Sequence, residues 1–415
     1  MRDMLGRGSA LEVPQALKIV LEAAGFLTPR TIKVKLSDAF GMVLAEDITC
    51  HEDIPGFTRT TVDGYAVRAA DTFGASDSSP AYLNVTGEIL MGEEPAIIVN
   101  TGEAVRIATG GMMPEGADAA LMLEYAQIID GSTIEATHAV APGENIVQRG
   151  EDIKAGQQAL DRGLRLRPQH VSVLASIGAH EVPVYERPRV AIISTGDEIV
   201  PPSSGLKPGQ IRDSNSYLLE GLIIASGGVP VRMGTVRDEY EAQKSALLDA
   251  LNKSDVVLIT GGSSVGARDH AERVISELGE VRFHSVALKP GKPLLFGVLG
   301  GKPAFGLPGH PRAVEVTFEV FVRPALAVIS GESRSDINEA TRTVKAILTR
   351  AIPSASGRQE VFNVSLELRD GVLHATPILA KSGIISAAIK SHGSVIVPLG
   401  QPGLPEGHLA DVLLV

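Results

Sequence analysis

The sequence predicts a multidomain protein in which a central α/β region is flanked by β-rich segments. A chain of 415 residues is too long for a single hydrophobic core. Between residues 188 and 299, apolar runs at 189–194, 229–236, 256–259, 281–287 and 294–299 are separated by helical periodicities, among them 215–226 and 239–251. That alternation implies a mainly parallel sheet with crossover connections. Residues 53–141, dense in Gly, Pro and turn formers between short extended runs, have the pattern of a small β domain, and the chain becomes β-like again after Gly331.

Taken in order, residues 9–24 form a helical pattern, with Ser9 as N-cap and Leu11, Leu17, Val20, Leu21 and Ala24 on its apolar face. Residues 31–51 turn to short extended pieces. The 53–141 segment carries strand candidates at 82–85 and 104–108. A loop-rich stretch, 143–163, precedes a helix at 168–178 (Val171, Val173, Leu174, Ile177). In the α/β region, 256–259 is an unbroken apolar run, the mark of a strand buried on both faces. A helical pattern begins at Asp269 and continues through Ala271, Val274, Ile275 and Leu278; a second covers Ala313 to Phe321. Strand candidates at 343–348, 360–368 and 394–397 make up the C-terminal β domain.

Composition narrows the function classes. Trp is absent and aromatics are 4% of the chain, too few for base-stacking platforms. A net charge of −11 argues against general binding to nucleic acid or to membrane surfaces. The one cysteine, Cys50, excludes an internal disulfide framework and any multi-thiolate metal site, as suits a reducing cytoplasm. The N-terminus carries Asp3 and Glu12 without the apolar core of a signal peptide, and no apolar run approaches the ~20 residues that span a bilayer. These features predict a soluble cytoplasmic protein. Within this acidic chain, residues 281–314 contain no Asp or Glu, yet include Arg282, Lys289, Lys292, Lys302 and Arg312. Such a segment either concentrates cations for an anionic ligand or merely excludes charge from buried strands.

Ligands of open α/β sheets bind beyond the carboxyl ends of the strands. Three strand ends here carry unusual residues. The first leads into Thr195-Gly196-Asp197-Glu198, the second into Arg237-Asp238, and the third into Gly261-Gly262-Ser263-Ser264 with Gly266 and Asp269 beyond. The small residues of the third leave backbone N–H groups open to an anion. Glu198, Asp238 and Asp269 could share one rim, where a cation such as Mg²⁺ would relieve their repulsion. Each could instead cap a helix or lie in a surface loop. Two further loops add cationic and donor groups. Lys289-Pro290-Gly291-Lys292-Pro293 sets two ammonium groups on a proline-stiffened turn, and Gly306-Leu307-Pro308-Gly309-His310-Pro311 opens a helix. Acids for metal, lysines for anion and a small-residue cradle describe phosphate or oxyanion chemistry. A nucleotide-binding P-loop is excluded, because Ala267 and Arg268 follow Gly266.

These pieces resemble the MoeA family of molybdopterin molybdenumtransferases, homologous to the gephyrin E domain. The matching segments run nearly end to end: 54–68, 109–118, 149–152, 194–198, 211–215, 255–269, 289–293, 306–311, 356–360 and 381–383. The resemblance implies insertion of molybdate into adenylylated molybdopterin with release of AMP, dependent on Mg²⁺. It implies an elongated N-terminal domain (1–52 and 142–187), an inserted β domain (53–141), an α/β molybdopterin-binding domain (188–332) and a C-terminal β barrel (333–415). It also implies a homodimer with shared sites, to which Asp63, Thr109 and Asp152 would contribute across the subunit boundary, and it admits other cofactor-biosynthesis proteins as partners. Glu198, Asp238, Asp269, Asp63 and Asp152 become the candidate catalytic residues, with the first three as metal ligands. Thr109, Thr195, Gly196, Asp197, Asp213, Ser214, Asn215, Gly261, Gly262, Ser263, Ser264, Gly266, Lys289, Lys292, Pro308, Gly309, Pro311 and Ser382 become candidate substrate contacts. At His310 the chain departs from the family, which usually has Asn there. Two rival readings use the same fold: a nucleotide-cleaving hydrolase, which leaves the first 180 residues and the C-terminal domain without a role, and an interaction scaffold, for which the chain has no second module.

Overall fold

A computed structural model describes residues 10–261, 265–333, 343–355, 357–379 and 383–414; for residues 265–269 it describes the backbone alone. Ser9, Gly262, Ser263, Ser264 and Ser382 lie outside the described residues, as does the side chain of Asp269. The chain forms two compact units. One contains the described residues of Met1–Ala45, Arg162–Arg167 and Val182–Val415; the other contains Glu46–Asp161 and Pro168–Glu181. Among the described residues no helix is long and apolar enough to cross a membrane.

The first unit is built on a six-stranded sheet in the order Val229–Val236, Arg189–Thr195, Val256–Gly261, Lys302–Leu307, Leu295–Leu299, Glu280–His284. Five of the six strands run in one direction and only Leu295–Leu299 is reversed, so the sheet is mainly parallel, as the sequence pattern implies. Lys302–Leu307, a central strand, is absent from the sequence reading. The run at 281–287 leaves the sheet after His284. Arg189–Thr195 and Val256–Gly261 are buried along nearly their whole length, as apolar strands covered on both faces must be. Alternation then sorts their side chains. Val190, Ile192, Val256 and Leu258 pack with Leu219 and Ile223 of the helix Asn215–Ala225, while Ala191, Ile193, Val257 and Ile259 meet Leu247 and Val274 of Tyr240–Lys253 and Val265–Leu278. The N-terminal helix Val13–Ala24 joins the first of these layers, with Glu12 rather than a hydroxyl residue at its N-cap and Val20 and Ala24 fully buried.

Thr343–Leu348, Gln359–Arg369, Val372–Pro377, Gly393–Val397 and Leu409–Leu414 close into a five-stranded barrel, since Gln359–Arg369 pairs with both Val372–Pro377 and Gly393–Val397. Its interior is small and aliphatic: Ala346, Leu348, Val364, Ala375, Val395 and Val412. The barrel is tied to the α/β sheet's loops by a short parallel ladder, Leu288 against Gln359 and Lys289 against Glu360. The second unit holds a six-stranded sheet, ordered Ala119–Met122, Gly64–Val67, Glu103–Ile107, Ala81–Ile89, Thr133–Ala136, Ala126–Ile128, around Tyr65, Leu83, Leu121 and Ile134.

Candidate functional site

The sheet's first four strands end level with one another. Thr195 pairs with Val236 on one side and Gly261 on the other, and Thr260 pairs with Leu307. Gly261 has φ 117°, and a Cβ there would lie 1.9 Å from the Thr195 carbonyl oxygen, so only glycine permits this approach. Asp213 clamps the rim: Ser194 Oγ donates to its Oδ2 at 2.8 Å and the Ser216 N–H to its Oδ1 at 3.0 Å. Asn215, 7% exposed, donates from Nδ2 to Thr260 Oγ1 at 3.2 Å and to the Gly309 carbonyl at 2.8 Å. It thereby links the third strand to the loop after the fourth. Ser214 precedes the helix without a side-chain cap bond, and Thr195 is buried.

Acidic groups collect beyond the first two strand ends. The Asp238 N–H approaches Asp197 Oδ1 at 3.5 Å, and Gln243 Nε2 donates to Asp238 Oδ1 at 3.0 Å. Glu198 folds over Gly196, where a Cβ would meet its carboxylate at 2.6 Å. Burial, then the charge of Asp197 and, less, that of Glu198 push the Asp238 carboxyl above its usual range, while His270 and the hydrogen bond from Gln243 pull the other way. Asp197 is thus the strongest charged neighbour of Asp238. Among the described residues no three His, Cys, Asp or Glu side chains are grouped to hold a metal ion. Asp269 does not begin its helix. Val265–Leu278 starts four residues earlier, so Asp269 stands in the helix interior and is not at an N-cap.

An acid whose folded pKa is raised binds its proton more tightly when folded than when unfolded. Its contribution to stability is complete at low pH and is lost as pH rises through the raised value. In metal-free buffer, Asp238→Asn should therefore raise the melting temperature at neutral pH and flatten its decline with pH above the carboxylate range. Thermal melts between pH 4 and 8 check this; a lower melting temperature for the Asn variant at pH 7 would refute it.

The opposite charge lines a cleft of about 780 Å³ between the sheet's loops and the barrel, bordered by Ser214, Lys289–Pro293, Pro308–Arg312, Arg358 and Glu360. Its floor turns at Gly291, whose φ of 128° and near contact with Thr317 admit no side chain. Of the five cations in the acid-free segment, Lys302 donates to the carbonyls of Leu251 and Ser254, Arg282 pairs with Glu280, and Arg312 pairs with Glu315. Lys289 and Lys292 remain for the cleft. Lys292 has no hydrogen-bond or ion-pair partner among the described residues, whereas Lys289 pairs with Glu360 at 3.2 Å. Pro308, Gly309 and His310 form one wall, and Pro311 occupies the first turn of its helix. Arg358 and Glu360 are absent from the sequence reading of the site. No sequence signal marks them: Arg358 precedes the barrel strand Gln359–Arg369, and nothing in the segment announces its ladder with Lys289.

In the second unit Asp63 is exposed and accepts from both the N–H and Oγ1 of Thr109, at 2.7 and 2.9 Å. These bonds hold its carboxyl below the usual range. Asp152 is exposed nearby in sequence to Arg149, which is anchored on Asp53 at 2.8 Å.

An acidic strand-end rim beside a cationic cleft, on a sheet of this order closed by a β barrel, describes an α/β enzyme for anionic substrates. Family profiles identify it further. Residues 11–178 match the MoeA N-terminal region (domain I and II), 191–328 a probable molybdopterin binding domain, and 345–415 the MoeA C-terminal region (domain IV). The chain is 34% identical to the molybdopterin molybdenumtransferase of Bacillus subtilis over 92% of its own length and 89% of that protein's. It is also 34% identical to the Nostoc enzyme of the same name, over 92% and 87%. The molybdopterin biosynthesis MoeA protein of Pyrococcus horikoshii superimposes with a TM-score of 0.83 at 36% identity, covering 98% of this chain and all of that one. The chain belongs to the MoeA family of molybdopterin molybdenumtransferases and acts in molybdenum cofactor biosynthesis.

Proposed function

We propose that the protein transfers molybdenum from molybdate to adenylylated molybdopterin with release of AMP, that the reaction depends on Mg²⁺, and that the working form is a homodimer. The observation that carries this reading is the cleft, where Lys289, Lys292 and Arg358 line a wall shared with the strand-end loops through Ser214 and Gly309. The cations bind the oxyanion and offset its repulsion from the phosphate-bearing pterin. Asn215 and Asp213 hold the strand-end loops in place. Asp238, Glu198 and Asp269 are the proposed carboxylate ligands, the hard oxygens that Mg²⁺ prefers, and a cation there would relieve the burial and like charge that push Asp238 upward. Bound there, Mg²⁺ would neutralise pyrophosphate charge and favour departure of AMP. Asp63, Thr109 and Asp152 serve the partner's site, with Thr109 keeping Asp63 ionised and oriented.

Lys292→Ala should weaken molybdate binding by ~1–3 kcal/mol, the scale of a lost charged hydrogen bond. Lys292→Gln should rescue little, because it restores length without charge. Calorimetric titration checks both, and wild-type affinity in the Ala variant would place the oxyanion elsewhere.

A further inference from the structure

One buried carboxylate, Glu360, organises the cleft's cations. It lies near the start of the barrel strand Gln359–Arg369 and pairs in register with Lys289. Its side chain is 2% exposed, yet it receives Lys289 Nζ at 3.3 and 3.2 Å on its two oxygens and Arg358 Nε at 2.7 Å on Oε1. The Ala355 N–H approaches Oε1 at 3.5 Å. Burial pushes the carboxyl upward, but the hydrogen bonds and charges of Arg358 and Lys289 outweigh it and hold it below the usual range.

Joining a loop to a barrel does not require such a group. Packed apolar side chains join elements at least as stably, because burying a charge is costly. The cations that Glu360 holds are less buried than it is: the side chains of Lys289 and Arg358 are 53% and 25% exposed, and both line the cleft. Glu360 takes one donor direction from each and leaves the Arg358 Nη groups without a partner among the described residues. The charges also match a ligand. Lys289, Lys292 and Arg358 against Glu360 leave two net positive charges, while Arg312 and Glu315 neutralise each other at 2.9 Å. Two positive charges complement a tetrahedral dianion.

We propose that Glu360 is a positioning residue for the oxyanion. It holds Lys289 of the sheet's loop and Arg358 of the barrel on one carboxylate, so that the two cations grip a dianion together. The inference deepens the reading of the cleft as the oxyanion site and rests on it.

Glu360→Gln separates positioning from bulk charge, because it makes the site more positive while freeing its cations. In the full-length protein, calorimetric titration with sodium molybdate should show affinity lowered about 10-fold or more despite the added positive charge. Affinity for adenylylated molybdopterin should stay at the wild-type value, which a merely loosened structure would not allow. If the Gln variant does not fold, Glu360→Asp, which keeps the charge and shortens its reach, should show the same selective loss. Molybdate binding as tight as wild type in the folded variant overturns the proposal, as does parallel loss of both ligands. Lys292→Ala run alongside locates the failure. If that variant binds molybdate weakly while Glu360→Gln binds normally, only the role of Glu360 falls; if both bind normally, the cleft is not the oxyanion site.

Discussion

Chains carrying Asp63→Ala and chains carrying Asp269→Ala should each form inactive homodimers, yet regain activity when their subunits are exchanged. In a heterodimer with shared sites, one site collects both lesions and the other collects neither. Random exchange makes half the dimers heterodimers, each with one intact site, so about a quarter of wild-type AMP release should return. The expectation follows from placing Asp63 in the second unit and the acidic rim in the first, together with the preorganised Asp63–Thr109 pair. Differentially tagged chains would verify exchange. No recovery in verified heterodimers would mean that each subunit completes its own site, or that Asp63 serves no site.

Asp269→Asn should abolish Mg²⁺-dependent AMP release while leaving the melting temperature near wild type. Asn keeps the shape and removes the charge that a divalent cation needs. The alternative role of helix cap would cost ~1 kcal/mol of stability and spare the chemistry. The helix Val265–Leu278 already disfavours that alternative, because Asp269 stands in its interior. A variant with normal Mg²⁺-dependent release and a lowered melting temperature would move the metal site away from Asp269.

Two of the strands that present the rim were legible because strands buried on both faces carry apolar runs, here 190–193 and 256–259. Lys302–Leu307 escaped for a physical reason. It opens with Lys302-Pro303 and carries Gly306, which breaks the apolar run, although Lys302 donates to the Leu251 and Ser254 carbonyls at the end of the helix Tyr240–Lys253. The same residue shows why a cation-rich segment overstated the anion site: local partners absorb Arg282, Lys302 and Arg312. The barrel wall of the cleft was not legible. Lys289 and Glu360 lie 71 residues apart, and nothing in either segment announces that a two-residue ladder will bring them together. The Asp197–Asp238 approach was likewise hidden, since strand order, not spacing, sets it side by side.

The central claim is that insertion of molybdenum at the dithiolene is coupled to release of AMP, water cleaving the pyrophosphate bond that joins AMP to the pterin's phosphate, and one assay tests it directly. Purified protein is mixed with adenylylated molybdopterin and Mg²⁺, with and without molybdate, and AMP is measured over time. AMP should appear only when molybdate and Mg²⁺ are both present, in equal amount to the molybdenum bound to pterin. AMP released at the same rate without molybdate would contradict the account and make the protein a hydrolase on this fold.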